Sequence, residues 1–186
     1  MQTEISDIIT VLSNGGTIIY PTDTIWGLGC DATNELAVNK IYSLKKRKED
    51  LPLIILLHNE NQLYDYVSEV PDIACDLFEL STKPLTIIFD KGFNLPKNVL
   101  AADGSIAIRI CSDDSCKELL RKFRKPLIST SVNISGKPVA NSIEEMDPDI
   151  INNVDAIYKK DLILNKKEAS QIIRLSNNGK ISIIRN

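Results

Sequence analysis

The sequence is poor in the residues on which much enzyme chemistry is built. It has one histidine, His58, in 186 residues. A single imidazole beside Asn59 and Glu60 completes no Ser-His-Asp or Cys-His set, and it reads as a surface or capping residue. The four cysteines, Cys30, Cys75, Cys111 and Cys116, form no Cys-x-x-Cys pair. With so few partners they argue against a zinc site, and they read as small apolar residues kept reduced in the cytoplasm. The longest apolar run, LPLIILL, has seven residues. A membrane helix needs about 20, so no span is expected. The N-terminus, MQTEISDIITVL, lacks the basic segment and long apolar stretch of a secretory signal. Basic residues are not in excess: 22 Lys and Arg against 25 Asp and Glu leave a net charge of -3. Nucleic-acid contact would need a local basic patch. Two phosphate signatures are missing as well. There is no GxxxxGK[ST] loop, and the Gly27-Leu28-Gly29 pair meets alanine at position 32, with no strand-to-helix turn to complete a dinucleotide fingerprint.

What is present is globular: 43% hydrophobic and 25% charged residues. Apolar positions 5, 8, 9 and 12 predict a helix from Thr3 to Asn14, stopped by Gly15-Gly16. TIIY (17–20), LIILL (53–57), LTIIF (85–89), SIAIRI (105–110) and PLIST (126–130) read as short buried strands. Helical patterns lie near 34–44, 60–67, 72–80 and 113–124, and Ser142 to Glu145 has capping-box spacing ahead of a short helix. The tail holds three strand-like runs, near 155–158, 170–175 and 181–184. Strands and helices alternate without a linker or repeat. This predicts one α/β domain over residues 1–186, with a twisted mixed parallel and antiparallel sheet whose faces helices cover.

Polar clusters follow several strand ends, where open α/β sheets place ligands. PTDT follows TIIY, Arg109 lies near the end of SIAIRI, and SVN and SGKP follow PLIST. Lys45 and Arg47 stand at a helix end, where they also suit the dipole. The inventory is cations, hydroxyls and an Asn amide. It suits anion binding, of phosphates or carboxylates, better than acid–base work by paired carboxylates. An arginine inside an apolar strand must find a partner or a cavity, which singles out Arg109. Gly27 and Gly29 read as places where the backbone turns close beside a pocket.

Five pieces in fixed order, PTDTIWGLGCDA, IYSLKKRKEDLPL, KPLT, SIAIRI and STSVNISGKP, resemble the YrdC/Sua5 family over nearly the whole chain, in its single-domain form. The resemblance implies a YrdC-like fold. It also implies synthesis of threonylcarbamoyl-AMP from L-threonine, bicarbonate and ATP, the first step of t6A modification of tRNA. The family's Lys-x-Arg motif falls on Lys45 and Arg47, which would hold phosphates and the carbamate. Its Ser-x-Asn motif falls on Ser131 and Asn133. The resemblance further places Thr22, Arg109, Ser131 and Ser170 on threonine. It places Ser105, Asn133, Asn141 and Arg185 along the nucleotide. ATP would bring Mg2+ on its phosphates, no protein-bound metal is implied, and downstream threonylcarbamoyl-transferase proteins would take the product.

Several positions depart from the family pattern. Trp26 stands for a tyrosine, Lys48 for a proline, Ser81 to Pro84 for Trp-Pro-Gly-Pro, Cys111 for a proline and Arg174 for an aspartate. Two other readings stand beside the synthase. One is a non-catalytic double-stranded-RNA binder working through the basic run 45–48, as a translation or ribosome maturation factor. The other is a carbamoyl-adenylating domain of the hydrogenase-maturation type, whose acylphosphatase and zinc-finger-like segments this sequence lacks.

Overall fold

The apolar stripe at the start of the chain forms helix α1, Ile5–Ser13, which buries Ile8 and Leu12. Gly15 ends it at φ +74, a left-handed turn that suits glycine, and sends the chain straight into strand β1, Thr17–Tyr20. The structure is a computed structural model, and it describes residues 4–47, 53–140, 142–158 and 169–186. Within them β2 is Gly27–Cys30, α2 Glu35–Lys45, β3 Ile54–Leu57, α3 Leu63–Tyr66 and α4 Ile73–Leu80. They are followed by β4 Leu85–Phe89, β5 Ile106–Ile110, α5 Asp114–Phe123 and β6 Leu127–Ser131. The last elements are α6 Pro148–Ile151, β7 Ala156–Ile157, β8 Gln171–Leu175 and β9 Ile181–Arg185. None of these helices is long and apolar enough to cross a membrane.

The strands join in the order β7-β1-β2-β6-β3-β5-β4-β8-β9. Pairs β1/β7, β3/β5 and β4/β8 are parallel, and the remaining pairs are antiparallel. The expected mixed sheet is therefore borne out. Helix starts follow local chemistry. Asn34 Oδ1 accepts the Ala37 N–H at the head of α2, and Asp113 Oδ1 accepts those of Ser115 and Cys116 at the head of α5.

Period-two alternation sorts each strand onto two faces. Ile55, Leu57, Ile87, Phe89, Ile106, Ile108 and Ile128 share one large core with Ala37, Val38 and Ile41 of α2 and Ala74 of α4. The opposite face is covered only in part. There α1 and α5 seal Ile18, Tyr20, Leu56 and Leu127 into a second, smaller core. Beyond it, no helix among the described residues closes over the side chains of Arg109, Ala107, Thr86, Ile88 and Ile172, which line a cavity. Helices thus lie on both faces for much of the sheet, as the strand pattern implied, and the open part of the second face is where the cavity lies.

Three local expectations also change. GLGC is strand β2 rather than a turn, antiparallel to both β1 and β6. Its glycines answer to crowding. A Cβ on Gly29 would lie 2.0 Å from the Ile128 carbonyl oxygen and 2.9 Å from the Tyr20 ring, and one on Gly27 would lie 3.1 Å from that ring. Tyr20 crosses β2 above the glycines, and its hydroxyl donates to the Ile128 oxygen on β6 at 2.9 Å. Finally, Ser142 makes no side-chain cap. A 3-10 turn at Ile143–Glu145 leads into the one-turn helix α6, capped by Asp147.

Candidate active site

The cavity of about 370 Å³ on the open half-face is built on two cross-strand rows. Ser129, Ile54, Ala107 and Ile88 stand side by side on β6, β3, β5 and β4. Arg109, Thr86 and Ile172 form the next row on β5, β4 and β8. The loop after β1 supplies Thr24, Ile25 and Trp26 as a wall, with Gly27 beginning β2. Arg47 enters from the end of α2, and Arg185 from β9.

Arg109 is 4% exposed on the cavity floor. Its Nη1 donates to Thr24 Oγ1 at 3.0 Å. Its Nη2 lies 3.6 Å from Asp23 Oδ1 in a buried ion pair. Its Nε, itself enclosed, has no hydrogen-bond partner among the described residues. A buried guanidinium with an open donor is costly unless something accepts from it.

The end of α2 shows how the helix C-terminus aims two cations differently. Lys46 caps the helix in the left-handed region, φ 50, and its side chain turns out to Asp149 at 3.2 Å. Arg47, one residue on, faces the cavity. Lys45, one residue before, points back under β6 and is 1% exposed. Its ammonium donates to the main-chain oxygens of Ser131 and Asn133 and to Asn133 Oδ1 at 3.3 Å. An ammonium has three donors, so all of them are engaged on this turn. Burial, and secondarily the charge of Arg47, pull Lys45 down to a pKa of about 8. Ser131 Oγ in turn donates to Asn133 Oδ1, and Asn133 Nδ2 to the Lys137 carbonyl, which closes the Ser131–Lys137 loop on itself.

At the far wall Ser170 is buried, with its hydroxyl 2.8 Å from that of Thr86. Arg185 donates to the Ser170 carbonyl from Nε at 3.1 Å and from Nη2 at 2.7 Å. Arg185 thereby ties β9 to the mouth of β8 while lining the cavity.

Of the residues singled out in the sequence, the structure brings Arg47, Arg109, Ser131, Ser170 and Arg185 around one cavity. Lys45 and Asn133 sit behind Ser131. Thr22 is not on the wall. It is 1% exposed, its hydroxyl donates to the Ile25 carbonyl at 2.6 Å, and it accepts the Thr24 N–H at 3.1 Å. The threonine of this loop that faces the cavity is Thr24. Ser105 stays off the wall too. Its N–H donates to Asp103 Oδ1, and the other oxygen of Asp103 accepts from Arg174. Asn141 lies outside the described residues, as does Lys48. Sequence reasoning missed Thr24, Thr86 and Ser129. Ser129 shares the parity of Ser131 along β6, a signal the sequence offered, whereas Thr24 shares the parity of Thr22 and could not be told from it in that way. Among the described residues, no group of three or more His, Cys, Asp or Glu is placed to hold a metal ion.

A sequence model of the Sua5, YciO and YrdC proteins, described as telomere recombination, matches residues 10–186. The chain belongs to this family. The resemblance carried by the five ordered motifs is borne out. The chain is 33% identical over 183 residues to the threonylcarbamoyl-AMP synthase of Pseudoalteromonas translucida, covering 97% of each. It is 31% identical over 156 residues to that of Xylella fastidiosa, covering 82% of this chain and 83% of the relative. P. abyssi Sua5 complexed with L-threonine aligns with a TM-score of 0.81 at 28% identity. The alignment covers 92% of this chain and 50% of P. abyssi Sua5, so this chain spans about half of that protein. E. coli YciO, at 23% identity and a TM-score of 0.83, shares the fold over 100% of this chain and 90% of its own. The family's five motifs thus surround the open half of one sheet face, with the arginines of two of them on the cavity wall.

Proposed function

We propose that the protein is a threonylcarbamoyl-AMP synthase. It converts L-threonine, bicarbonate and ATP to threonylcarbamoyl-AMP and pyrophosphate for the t6A modification of tRNA. Relatives of that name, matched along nearly all of the chain, support the activity. The observation that carries the reading to particular residues is Arg109. It lies at the floor of a hydroxyl-lined cavity, its guanidinium held by Thr24 and its charge offset by Asp23, which suits a small carboxylate.

The chemistry suits a site without a nucleophile of its own. The amine of threonine adds to bicarbonate, or to the CO2 in equilibrium with it, to give a carbamate. With bicarbonate, water leaves. A carbamate oxygen then attacks the α-phosphorus of ATP, the bond to the β-phosphate oxygen breaks, and pyrophosphate departs. The protein has to align the reactants and balance charge. In this reading Arg109 and Thr24 receive the threonine carboxylate end, with Ser131 and Ser170 as further hydroxyl partners. Arg47 faces the phosphates and Arg185 the nucleotide. Lys45, engaged on the Ser131–Asn133 turn, works by fixing that turn, and Asn133 completes it. Mg2+ arrives on the ATP phosphates, held by phosphate and water. The product is a reactive mixed anhydride, so downstream transferase proteins must take it promptly in the cytoplasm. The RNA-binding reading has less basic surface to draw on, because in the run at 45–48 Lys45 is buried and Lys46 pairs with Asp149.

The test is to incubate the protein with ATP, bicarbonate and L-threonine and to look by mass spectrometry for the threonylcarbamoyl adduct of AMP and for pyrophosphate. Product with threonine supports the reading. Absence of product with threonine, alongside turnover of carbamoyl phosphate, overturns it.

A further inference from the structure

Resting on the reading that Arg109 meets the threonine carboxylate, we infer that Asp23 is a positioning residue that aims Arg109 and balances its charge without using up its donors. The Asp23–Arg109 pair is almost fully enclosed, with side chains 6% and 5% exposed. Its N–O distance is 3.6 Å, well beyond the roughly 2.7–2.9 Å of a charge-assisted hydrogen bond. Among the described residues, Asp23 Oδ1 and Arg109 Nε, both enclosed, have no hydrogen-bond partner. In a pair optimised for stability these two atoms would close on each other, because each costs free energy while open.

They are kept apart by what holds Asp23 from behind. Asp23 Oδ2 accepts two hydrogen bonds, from the Ser112 N–H and the Ser112 hydroxyl, each at 3.0 Å. Ser112 lies two residues past the end of β5, the strand that carries Arg109. The carboxylate is therefore fixed relative to Arg109's own strand, set back from the guanidinium. On the other side, Thr24 holds Nη1 at 3.0 Å. The PTDT loop thus grips Arg109 from two neighbouring residues, Asp23 by charge and Thr24 by a hydroxyl. The guanidinium is held in one orientation at the cavity floor, with Nε itself enclosed and without a hydrogen-bond partner among the described residues. An incoming carboxylate finds an oriented donor whose charge was already offset, so the enclosed site does not hold an isolated cation when empty.

The experiment compares Asp23→Asn, Asp23→Glu and Ser112→Ala with the wild type, measuring the KM for L-threonine, the KM for ATP and kcat. Asn keeps the size and the acceptor for Ser112 but removes the charge. Asp23→Asn is expected to raise the KM for threonine about tenfold or more while the KM for ATP stays within about twofold. Asp23→Glu restores the charge and is expected to recover most of the loss. Ser112→Ala, which keeps the main-chain N–H, is expected to raise the threonine KM about threefold. If Asp23→Asn does not fold, the threonine KM of Ser112→Ala decides. Equal effects on both KM values, or no recovery by Glu, mean a merely structural Asp23 and overturn the inference. Arg109→Ala separates this from the underlying reading. If that variant still binds threonine normally, the carboxylate role of Arg109 fails. If it loses threonine while Asp23→Asn and Ser112→Ala do not change its KM, only the inference about Asp23 fails.

Discussion

Replacing Lys45 with methionine separates a residue that fixes the site from one that only stabilises the fold. The side chain is buried, so the ammonium is held at a cost. Its pKa falls from 10.5 to about 8, which at about 1.4 kcal/mol per pH unit amounts to about 3 kcal/mol against folding near neutral pH. Methionine of similar length removes that cost. It also removes three hydrogen bonds, but two of the acceptors keep other donors. The Ser131 carbonyl retains the Asn133 N–H, and Asn133 Oδ1 retains the Ser131 hydroxyl. The Asn133 carbonyl loses its only donor among the described residues, at about 1–3 kcal/mol. The two terms nearly cancel. Lys45→Met should therefore shift unfolding stability at pH 7 by less than about 2 kcal/mol, while product formation falls about a hundredfold because the Ser131–Asn133 turn is no longer clamped.

The pH dependence carries opposite signs for the two readouts. Below pH 8 Lys45 is protonated in both the folded and the unfolded chain. Between pH 8 and about 10.5 the folded chain has lost this proton and the unfolded chain has not, so the unfolded state binds more protons and stability rises with pH. The wild type should gain about 3 kcal/mol relative to Lys45→Met across that window in denaturant titrations. In the same window the neutral amine keeps two N–H donors for three oxygens, so wild-type activity should fall with a midpoint near pH 8. Undiminished turnover in Lys45→Met would refute the clamp. So would a stability gap between the two proteins that stays flat from pH 7 to pH 10.

Other outcomes follow from single contacts. Gly29→Ala should cost about 3 kcal/mol or more in chemical denaturation, because its Cβ would meet the Ile128 carbonyl at 2.0 Å and backbone cannot yield cheaply. Tyr20→Phe should cost about 1–3 kcal/mol by depriving the same carbonyl of the Tyr20 hydroxyl. Thr22→Val and Thr24→Val should divide stability from binding. The first loses the hydroxyl that holds Ile25 and Thr24 and lowers the melting temperature, and the second loses the Arg109 contact and raises the threonine KM.

Much of the fold was legible because the strands announce themselves. LTIIF and SIAIRI are short apolar runs, and they pair as β4 and β5 with Thr86 opposite Arg109. The Arg109 prediction followed from the same text, since an arginine in such a run has to be partnered or face a cavity. Strand β2 was not legible. Gly-Leu-Gly-Cys has the composition of a turn, and its strand identity depends on Tyr20 across the preceding loop and on Ile128 of β6, which is far away in sequence. Lys45 shows the same limit from the other side. Its place beside Arg47 reads as a second cation for the same anion. The two are separated by Lys46, which leaves the helix in the left-handed region, so Lys45 is buried on the Ser131–Asn133 turn while Arg47 faces the cavity.

The PTDT loop shows why neighbouring residues of one motif can be assigned wrongly while the motif itself is read correctly. Thr22 and Thr24 are chemically identical and two positions apart, so in an extended segment they would share a face. Their hydroxyls do lie 3.0 Å apart, but Thr22 also folds its hydroxyl back onto the Ile25 carbonyl and the Thr24 N–H, and only Thr24 lines the cavity. The Thr24 hydroxyl, bonded to that of Thr22 at 3.0 Å, accepts from Arg109 at 3.0 Å, and Asp23 between them is held against Ser112. The first threonine builds the loop, the aspartate balances the arginine, and the second threonine meets the cavity. Substitutions at Asp23 and Thr24 should reach threonine binding through Arg109, whereas one at Thr22 should act on the stability of the loop.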